Sequence, residues 1–457
     1  MKASGGRRGI LCGLAAAAGI ALTIACYYPG YVTSDPVDQL SQARKGIFSD
    51  WHPPVMGWVW GRFDRVVPGP AGMLLLHNVL FWGALALVAD TSIEGCGGLA
   101  AATVLGVGLL PPVFALLGTI WKDVGLAAAL LLAFALLLRA DRQSSKIALL
   151  LALPPLFYGF AVRHNAVVAV APLSVWFGLL LARLCGLGSR RKALAATAAA
   201  AALLAGFAGL RGWVTYGVLR ARRTYPVQQI LIHDLAAVSI ATRSYQLPEF
   251  LSEAGQPSTV EELEDVYSPD LIDPLFCCDD TVPRFYILSD AGRFDLLLRT
   301  WLRVTPRNPK AYLPHRARAF KRQFGIGGPE VCFPFQQGSD PNALRITFQP
   351  GRLNQWMTAF MSWFKNGILF RGWFYLLGAA SGLGLAVRSE GVRRRASVAL
   401  AASGLAYAGA YFFVGTTCDF RMAWWTVVST LALPVVLAGS YPERTGQGGM
   451  RCLRPSP

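Results

Sequence analysis

Apolar runs of about twenty residues recur along most of this 457-residue chain, and they constrain its fold more than any other feature. A run of that length can cross the hydrocarbon core of a bilayer as one helix. Hydrophobic residues make up 54% of the sequence and charged residues only 15%, whereas soluble domains carry roughly 25% charged residues. The sequence therefore predicts an all-α polytopic membrane protein and excludes an ordinary soluble domain.

Apolar windows of about 20 residues predict about ten transmembrane helices. The first window follows Arg7 and Arg8 and lacks a convincing cleavage site, so we interpret it as a retained span and not as a signal peptide. The predicted spans are centred near residues 10–28, 70–88, 97–117, 120–138, 147–162, 166–184, 193–214, 367–387, 396–414 and 422–440.

Basic residues fall in alternate loops and predict the orientation. Lys and Arg beside short loops favour the cytoplasmic face of a membrane. They cluster before the first span, in the loops at 139–146, 183–192 and 388–395, and in the tail 441–457. We therefore expect a multi-pass protein of the cell (plasma) membrane with both termini in the cytoplasm. This clustering also accounts for the net charge of +17 without a nucleic-acid partner.

Two longer polar stretches then fall on the outer face. The expected organisation is an N-terminal bundle at 1–215 that includes a first outer loop at 32–69, an extracytoplasmic segment at 216–366, C-terminal helices at 367–440 and the tail. Helix-like stretches at Val227 to Ala241 and Asp290 to Val304 indicate that the extracytoplasmic segment is a small folded domain or a set of re-entrant helices.

The first outer loop carries two acidic residues at a predicted helix start. Pro36, preceded by Ser34 or Asp35 as cap, predicts a helix that runs to about Lys45. Asp35 and Asp38 would then be an ordinary capped and charged first turn. Their position at the mouth of a helix bundle favours another interpretation, in which a carboxylate acts as general base on an acceptor hydroxyl.

The same loop contains Asp50 and His52 in the sequence Asp-Trp-His-Pro-Pro. Asp50 can be a cap for a helix that starts at the prolines, and His52 a surface imidazole. Because both residues precede a span on the outer face, they are also site candidates.

Further polar residues lie at the outer ends of later spans. Each group alone has an ordinary anchoring explanation, for example an ion pair between Lys122 and Asp123. Ionisable residues that converge on one rim of a membrane bundle are nevertheless functional candidates. Cations here can neutralise a phosphate leaving group. The proposed phosphate ligands are Lys122, Arg163, His164 and Arg421, and the neighbouring candidates are Asp123, Asn165 and Asp419.

These motifs together resemble bacterial membrane glycosyltransferases of the GT-C fold, near the protein O-mannosyltransferase and aminoarabinose transferase branch. The residues that carry the resemblance read SDPVDQ, DWHPP, WKD, RHN and CDFR. The resemblance implies a GT-C-like bundle, a sugar donor linked to polyprenyl phosphate, and an acidic residue of the first outer loop as catalytic base. By this resemblance, Asp35 would be the catalytic base, and Asp38 is the second candidate. The adjacent acidic pair of the O-mannosyltransferase branch is replaced here by Asp35-Pro36.

The leading hypothesis is thus an inverting glycosyltransferase that passes a sugar to an envelope glycan, lipid or protein in contact with membrane lipid. One alternative is a transporter or lipid flippase, although related halves and broken central helices are not evident. Another is a noncatalytic envelope assembly protein that binds polyprenyl phosphate. A solvated basic face is the ordinary interpretation of the residues it would use, which are Arg284, Arg293, His315, Arg316 and Arg318.

Two features stay open at this point. A divalent metal ion is a possible cofactor to which Asp50 could contribute, but such ions usually need several oxygen ligands. The cysteines in polar outer regions that could pair are Cys277, Cys278, Cys332 and Cys418, and no zinc-binding spacing is present.

Overall fold

A computed structural model describes residues 2–94, 96–252, 257–276, 284–328 and 332–441. Within these residues the chain is helical, and β-structure is limited to isolated bridges. The N-terminal helices are α1 (Lys2–Tyr27), α2 (Ser34–Lys45), α3 (Pro54–Asp64), α4 (Ala71–Ser92), α5 (Gly97–Gly108), α6 (Pro111–Leu117), α7 (Lys122–Gln143), α8 (Lys146–Leu151), α9 (Leu153–Ala161), α10 (Ala166–Leu184) and α11 (Ser189–Gly212). The later helices are α12 (Gln228–Thr242), α13 (Val260–Val266), α14 (Ala291–Arg307), α15 (Pro309–Gln323), α16 (Arg352–Ser362), α17 (Gly372–Val387), α18 (Gly391–Val414) and α19 (Trp424–Leu437).

A polytopic membrane protein is confirmed at the level of helix length and composition. Seven helices in the described ranges are long and apolar enough to cross a membrane, and an eighth span results if the bent pair α5 and α6 counts as one. This pair bends by 70°, because Pro111 and Pro112 cannot continue the helix that precedes them. Shorter apolar helices at 146–161 and 372–387 occupy the other two predicted positions.

Ion pairs gather the basic loops at one end of the bundle. Asp141, near the end of α7, accepts hydrogen bonds from Arg183 at 2.6 Å and from Arg395 at 2.7 Å. Arg8 of α1 pairs with Asp90 of α4 at 2.8 Å in the same layer. Because α7 has 22 residues and a helix rises 1.5 Å per residue, its first residue lies roughly 33 Å away. The alternate loops therefore lie on opposite faces.

Small residues and polar contacts hold the membrane helices together. Trp82 of α4 packs over Gly19 of α1 and Gly108 of α5, where an added Cβ would clash with the indole. Asn78 donates to the Leu117 carbonyl at 3.1 Å and so links α4 to α6. Close approach at small residues and interhelical hydrogen bonds are the usual means of packing helices in lipid.

The segment between α11 and α17 has an apolar core of its own. Leu231 and Leu235 of α12 pack with Leu263 of α13 and Leu297 of α14. Helices α12 and α14 cover the two stretches in which the sequence predicted them. The segment at 216–366 therefore contains a packed helical unit that covers one end of the bundle.

The ordinary interpretation of His315 and Arg316 as a solvated basic face is wrong. Arg316 is 0% exposed and pairs with Asp234 at 2.7 Å, and it donates to the Gly415 carbonyl at 2.8 Å. His315 is buried against the same carboxylate, whereas Arg318 is exposed. A buried charge needs such a partner, so this cluster fixes α15 to the end of α18.

Candidate functional site

Backbone pairing brings the first outer loop to the start of α7. The Tyr31 N–H donates to the Gly118 carbonyl at 2.9 Å, and the Ile120 N–H donates back to the Tyr31 carbonyl at 3.0 Å. The indole of Trp121 donates to the Thr33 hydroxyl at 3.1 Å. Since α2 begins directly after Thr33, its first turn lies beside Lys122.

The carboxylate of Asp35 lies at the centre of a cationic cluster. Its Oδ2 is 3.5 Å from Lys122 Nζ and 3.7 Å from Arg421 Nη2. Its Oδ1 is 3.5 Å from His52 Nε2. His52, Lys122 and Arg421, which are separated from one another in the sequence by a span or more, thus meet at the acidic side chain of Asp35 in α2.

These charges determine the ionisation of Asp35. The side chain is 29% exposed, and burial alone would raise the pKa of its carboxyl. The charges of Lys122 and Arg421 and the adjacent His52 imidazole outweigh burial and hold the pKa well below its usual range. Asp35 is therefore ionised at neutral pH, and while it stays paired it is a weak proton acceptor.

His52 lies between the acid and the amine of this cluster. Its Nδ1 is 2.6 Å from Lys122 Nζ, so the ring accepts a hydrogen bond there and turns Nε2 toward Asp35. Burial and the charge of Lys122 lower the pKa of His52 to about 3. The imidazole is consequently neutral at pH 7 and adds no charge to the cluster.

Two acidic candidates act as partners behind the cations. Asp123 is 2% exposed and forms an ion pair with Arg163, so the expected pairing with its neighbour Lys122 is not what the structure contains. Asp419 pairs with Arg421 at 2.8 Å. Buried carboxylates of this kind hold basic side chains in place.

Arg421 is oriented from a second direction as well. Its guanidinium stacks over the ring of Trp121 at 4.7 Å, a favourable cation–π arrangement. The turn that carries it is braced by a disulfide between Cys332 and Cys418, whose Cα atoms are 5.3 Å apart. The other two candidate cysteines, Cys277 and Cys278, lie outside the described residues.

A cavity of about 640 Å³ opens over this cluster between the membrane bundle and the segment at 216–366. Of the candidates predicted from the sequence, its lining includes Asp35, Asp50, His52, Lys122, Arg163, His164, Asn165 and Arg421. Asp38 is exposed and accepts a hydrogen bond from Gln42 at 2.6 Å, away from the cavity lining. Asp123 and Asp419 lie behind the lining as described above.

His164 and Asn165 occupy the edge of the cavity between α9 and α10. The surrounding protein and the charge of Lys122 lower the pKa of His164 to about 4, so this ring too is neutral at pH 7. The side-chain nitrogen of Asn165 is buried and has no hydrogen-bond acceptor within the described part of the chain. These two residues add polar hydrogen-bonding groups to a wall whose charge comes from Lys122 and the arginines.

The interpretation of Asp50 as a helix cap is wrong. Helix α3 begins after Pro53, and no side chain caps it. The carboxylate of Asp50 instead accepts hydrogen bonds from the Tyr216 hydroxyl at 2.8 Å and from the N–H and hydroxyl of Thr224 at 2.6 and 2.7 Å. Asp50 therefore joins the first outer loop to the chain that leaves α11.

These acidic residues do not fit a divalent metal ion. Both oxygens of Asp50 already accept hydrogen bonds, and both oxygens of Asp35 face basic side chains. The described residues contain no group of three or more His, Cys, Asp or Glu side chains arranged to hold a metal. A hard cation needs more oxygen ligands than this cluster supplies.

Sequence reasoning missed most of the cavity wall that the segment at 216–366 contributes. The missed lining residues include Tyr216, Tyr225, Asp273 and Phe294. One signal was available, because Asp273-Pro274 repeats the acidic-residue–proline pattern of Asp35-Pro36. The surrounding protein and the negative charge of Asp35 raise the pKa of Asp273.

The arrangement as a whole can bind an anionic group and keep a carboxylate beside it. Lys122, Arg163 and Arg421 are 11–14% exposed and point several N–H donors at one cavity. Guanidinium groups suit phosphate or carboxylate oxygens. Models of known protein families and the curated proteins give no match to this chain.

Proposed function

We propose that the protein is an inverting membrane glycosyltransferase of GT-C-like architecture that uses a sugar linked to polyprenyl phosphate. The observation that carries the proposal is the contact of Asp35 with Lys122 and Arg421 in a cavity at the end of the bundle. It supplies a carboxylate for an acceptor hydroxyl and cations for a departing phosphate in the same place.

The ion pairs suggest how donor binding activates the base. A donor phosphate that enters the cavity competes with Asp35 for Lys122 and Arg421. As these cations move to the phosphate, the pKa of Asp35 rises toward its ordinary value and its carboxylate becomes a better proton acceptor. Asp35 is thus a better proton acceptor only when the leaving group is in place.

The chemical step follows from this arrangement. Asp35 takes the proton of the acceptor hydroxyl, and the hydroxyl oxygen forms a bond to the anomeric carbon of the donor. The bond from that carbon to the phosphate oxygen breaks, and its electron pair leaves with the polyprenyl phosphate. Lys122, Arg421 and Arg163 stabilise the charge that develops on the phosphate.

The membrane setting is part of the proposal. On the proposed count of ten traverses, which includes the bent pair and the two shorter helices, the cavity would face outward and both termini would lie in the cytoplasm of the cell membrane. The ionisable residues of the cavity lie at helix ends and not near the middle of the spans, which favours a transferase over a transporter or flippase. An isoprenoid chain would remain in the lipid beside the cavity.

The test is sugar transfer by the wild-type protein and by Asp35→Asn in membranes supplied with polyprenyl-phosphate sugars. We expect roughly a 10²- to 10⁴-fold lower rate for the variant, as for the loss of a general base. Binding of undecaprenyl phosphate should be at least as tight as in wild type, because Asp35 no longer competes for the cations. Asp38→Asn is the matched control and should keep wild-type turnover.

Lys122→Met should instead weaken binding of undecaprenyl phosphate. Wild-type turnover of the Asp35 variant would remove the base assignment. Lipid scrambling by wild-type proteoliposomes that contain no acceptor would favour the flippase. Binding of undecaprenyl phosphate without turnover of any donor would favour the noncatalytic assembly protein.

A further inference from the structure

The two walls of the cavity differ in chemistry. The wall formed by the membrane helices carries Lys122, Arg163 and Arg421. The wall formed by the extracytoplasmic segment carries the rings of Tyr225 and Phe294 and the carboxylate of Asp273. An anionic group requires only the first surface, so the second wall calls for a ligand group of another kind.

Tyr225 and Phe294 form a flat aromatic surface on that second wall. Their ring centroids are 4.5 Å apart, and the rings are inclined by only 12°. Both side chains are partly exposed, and both line the cavity. An aromatic face of this kind offers a large apolar contact with little conformational entropy to lose.

The backbone at Tyr225 is held in an unfavourable conformation. Its φ is +47°, in the left-handed region that a bulky residue seldom adopts. Two side chains hold the residue before it. Asp50 accepts from the Thr224 N–H, and the buried Gln228 side chain donates to the Thr224 carbonyl at 2.6 Å and to the Leu288 carbonyl at 3.0 Å. Strained residues that their surroundings fix in this way cluster at ligand-binding sites.

Asp273 complements the aromatic surface with a hydrogen-bond acceptor. It is exposed and lines the cavity, and within the described residues no side chain forms a hydrogen bond or ion pair with its carboxylate. This distinguishes it from Asp35, Asp50, Asp123 and Asp419, each of which is engaged. A free carboxylate can accept two hydrogen bonds side by side from neighbouring hydroxyls.

The geometry points to a subsite for a neutral saccharide on the wall formed by Tyr225, Phe294 and Asp273, which would hold the acceptor in the proposed transfer. A sugar ring presents an apolar C–H face for the aromatic surface and paired hydroxyls for the carboxylate. Asp273 disfavours an anionic ligand, and Arg223, which lines the same cavity, disfavours a cationic one. The inference rests on the proposed function for the acceptor role, but saccharide binding can be measured without it.

The experiment is ligand-detected NMR of the full-length protein in nanodiscs, with methyl glycosides and disaccharides of neutral hexoses as probes. Wild type should show saturation transfer to the saccharide. Tyr225→Ala and Asp273→Asn should each weaken binding roughly tenfold, the loss expected for an aromatic contact or a polar anchor. Tyr225→Phe, which keeps the ring, should bind within about twofold of wild type.

Asp265→Asn is the matched control for Asp273→Asn, because Asp265 is an exposed acid of the same segment outside the cavity lining. Binding of undecaprenyl phosphate to every variant reports on folding and should be unchanged. Equal saccharide signals from wild type and Tyr225→Ala would overturn the inference. Binding of a serine-rich peptide or a monoacylglycerol at this wall, without binding of any saccharide, would also overturn it.

The outcomes separate this inference from the proposed function. Suppose that undecaprenyl phosphate binds wild type and the Tyr225 and Asp273 variants equally well, but that no saccharide binds. The subsite is then wrong, and the transferase proposal stands. If saccharides bind as expected but no polyprenyl-phosphate sugar is turned over, the transferase proposal fails and the subsite stands.

Discussion

At the scale of single residues, the site is defined by which charges are paired and which are not. Asp35 faces basic groups with both oxygens, Arg163 and Arg421 each have a carboxylate behind them, and Asp273 has no such partner among the described residues. Pairing in a partly buried cluster is easily rearranged by a charged ligand, since the competing interactions are similar in kind. The cluster is therefore organised in advance for an anion.

The pairing of Asp35 predicts a pH dependence of stability. Because its pKa is lowered in the folded state, its contribution is fully present above the unfolded value of about 3.9 and is lost as the pH falls toward the folded value. We expect Asp35→Asn to have a lower Tm than wild type by the same amount between about pH 5 and pH 8. Below about pH 4 the difference should shrink.

Thermal unfolding in detergent across this pH range is the measurement. Asp265→Asn, which changes an exposed carboxylate, should match wild type at every pH. A difference between wild type and Asp35→Asn that persists unchanged into acid would contradict the lowered pKa.

Residue roles were only partly predictable from sequence. The position of Asp35 after the first span was enough to suggest its place at the cavity, because topology puts helix ends on one face. Asp50 could not be assigned, since its partners Tyr216 and Thr224 lie far along the chain. Its capping pattern was a local signal that a distant contact overrode.

At the scale of elements, the three hydrogen bonds that Asp50 accepts from Tyr216 and Thr224 link the first outer loop to the chain after α11. We call these bonds the clamp. Asp50→Ala removes the acceptor of three hydrogen bonds and leaves their donors, including the part-buried backbone N–H of Thr224, without this partner. We expect a loss of about 1–3 kcal/mol in the free energy of unfolding. Tyr216→Phe removes a single bond and should cost about 1 kcal/mol.

Chemical denaturation of the purified protein, monitored by tryptophan fluorescence, would measure both effects. Because the clamp also fixes Tyr225, Asp50→Ala should weaken saccharide binding while Tyr216→Phe leaves it largely intact. Equal stability of Asp50→Ala and wild type would show that the clamp is not needed for the fold.

The disulfide between Cys332 and Cys418 is the second element-scale link. It closes a loop with a sequence separation of 86 residues, and a cross-link of that span typically stabilises a protein by about 2–4 kcal/mol. We expect Cys332→Ser to lower the Tm and to remove the sensitivity of wild type to reducing agent. Cys185→Ser, at an exposed free cysteine, is the control and should have no effect.

At the scale of the whole molecule, the arrangement of faces predicts an accessibility pattern. Glu390→Cys lies in an exposed loop on the face of Asp141, and Arg299→Cys lies in the exposed part of α14. In intact cells, a membrane-impermeant maleimide should label the position on α14 and leave the position in the loop unlabelled. The reverse pattern would invert the proposed orientation and remove the cavity from the outer face.

Hydrophobicity predicted the membrane part of the fold well for a physical reason. A span must satisfy its backbone hydrogen bonds within one apolar helix, so length and composition suffice to find it. The bend at Pro111 and Pro112 and the two shorter helices did not follow from that criterion. The wall around Tyr225 was not predictable either, because its position depends on contacts between segments far apart in sequence.

The ion pairs of Asp141 with Arg183 and Arg395 fasten the ends of α7, α10 and α18 to one another. At the opposite end of the bundle, Lys122, Arg163 and Arg421 are held by contacts that the proposed donor phosphate would replace. Any widening of the cavity that admits a bulky ligand is therefore expected to rotate these helices about their fastened ends.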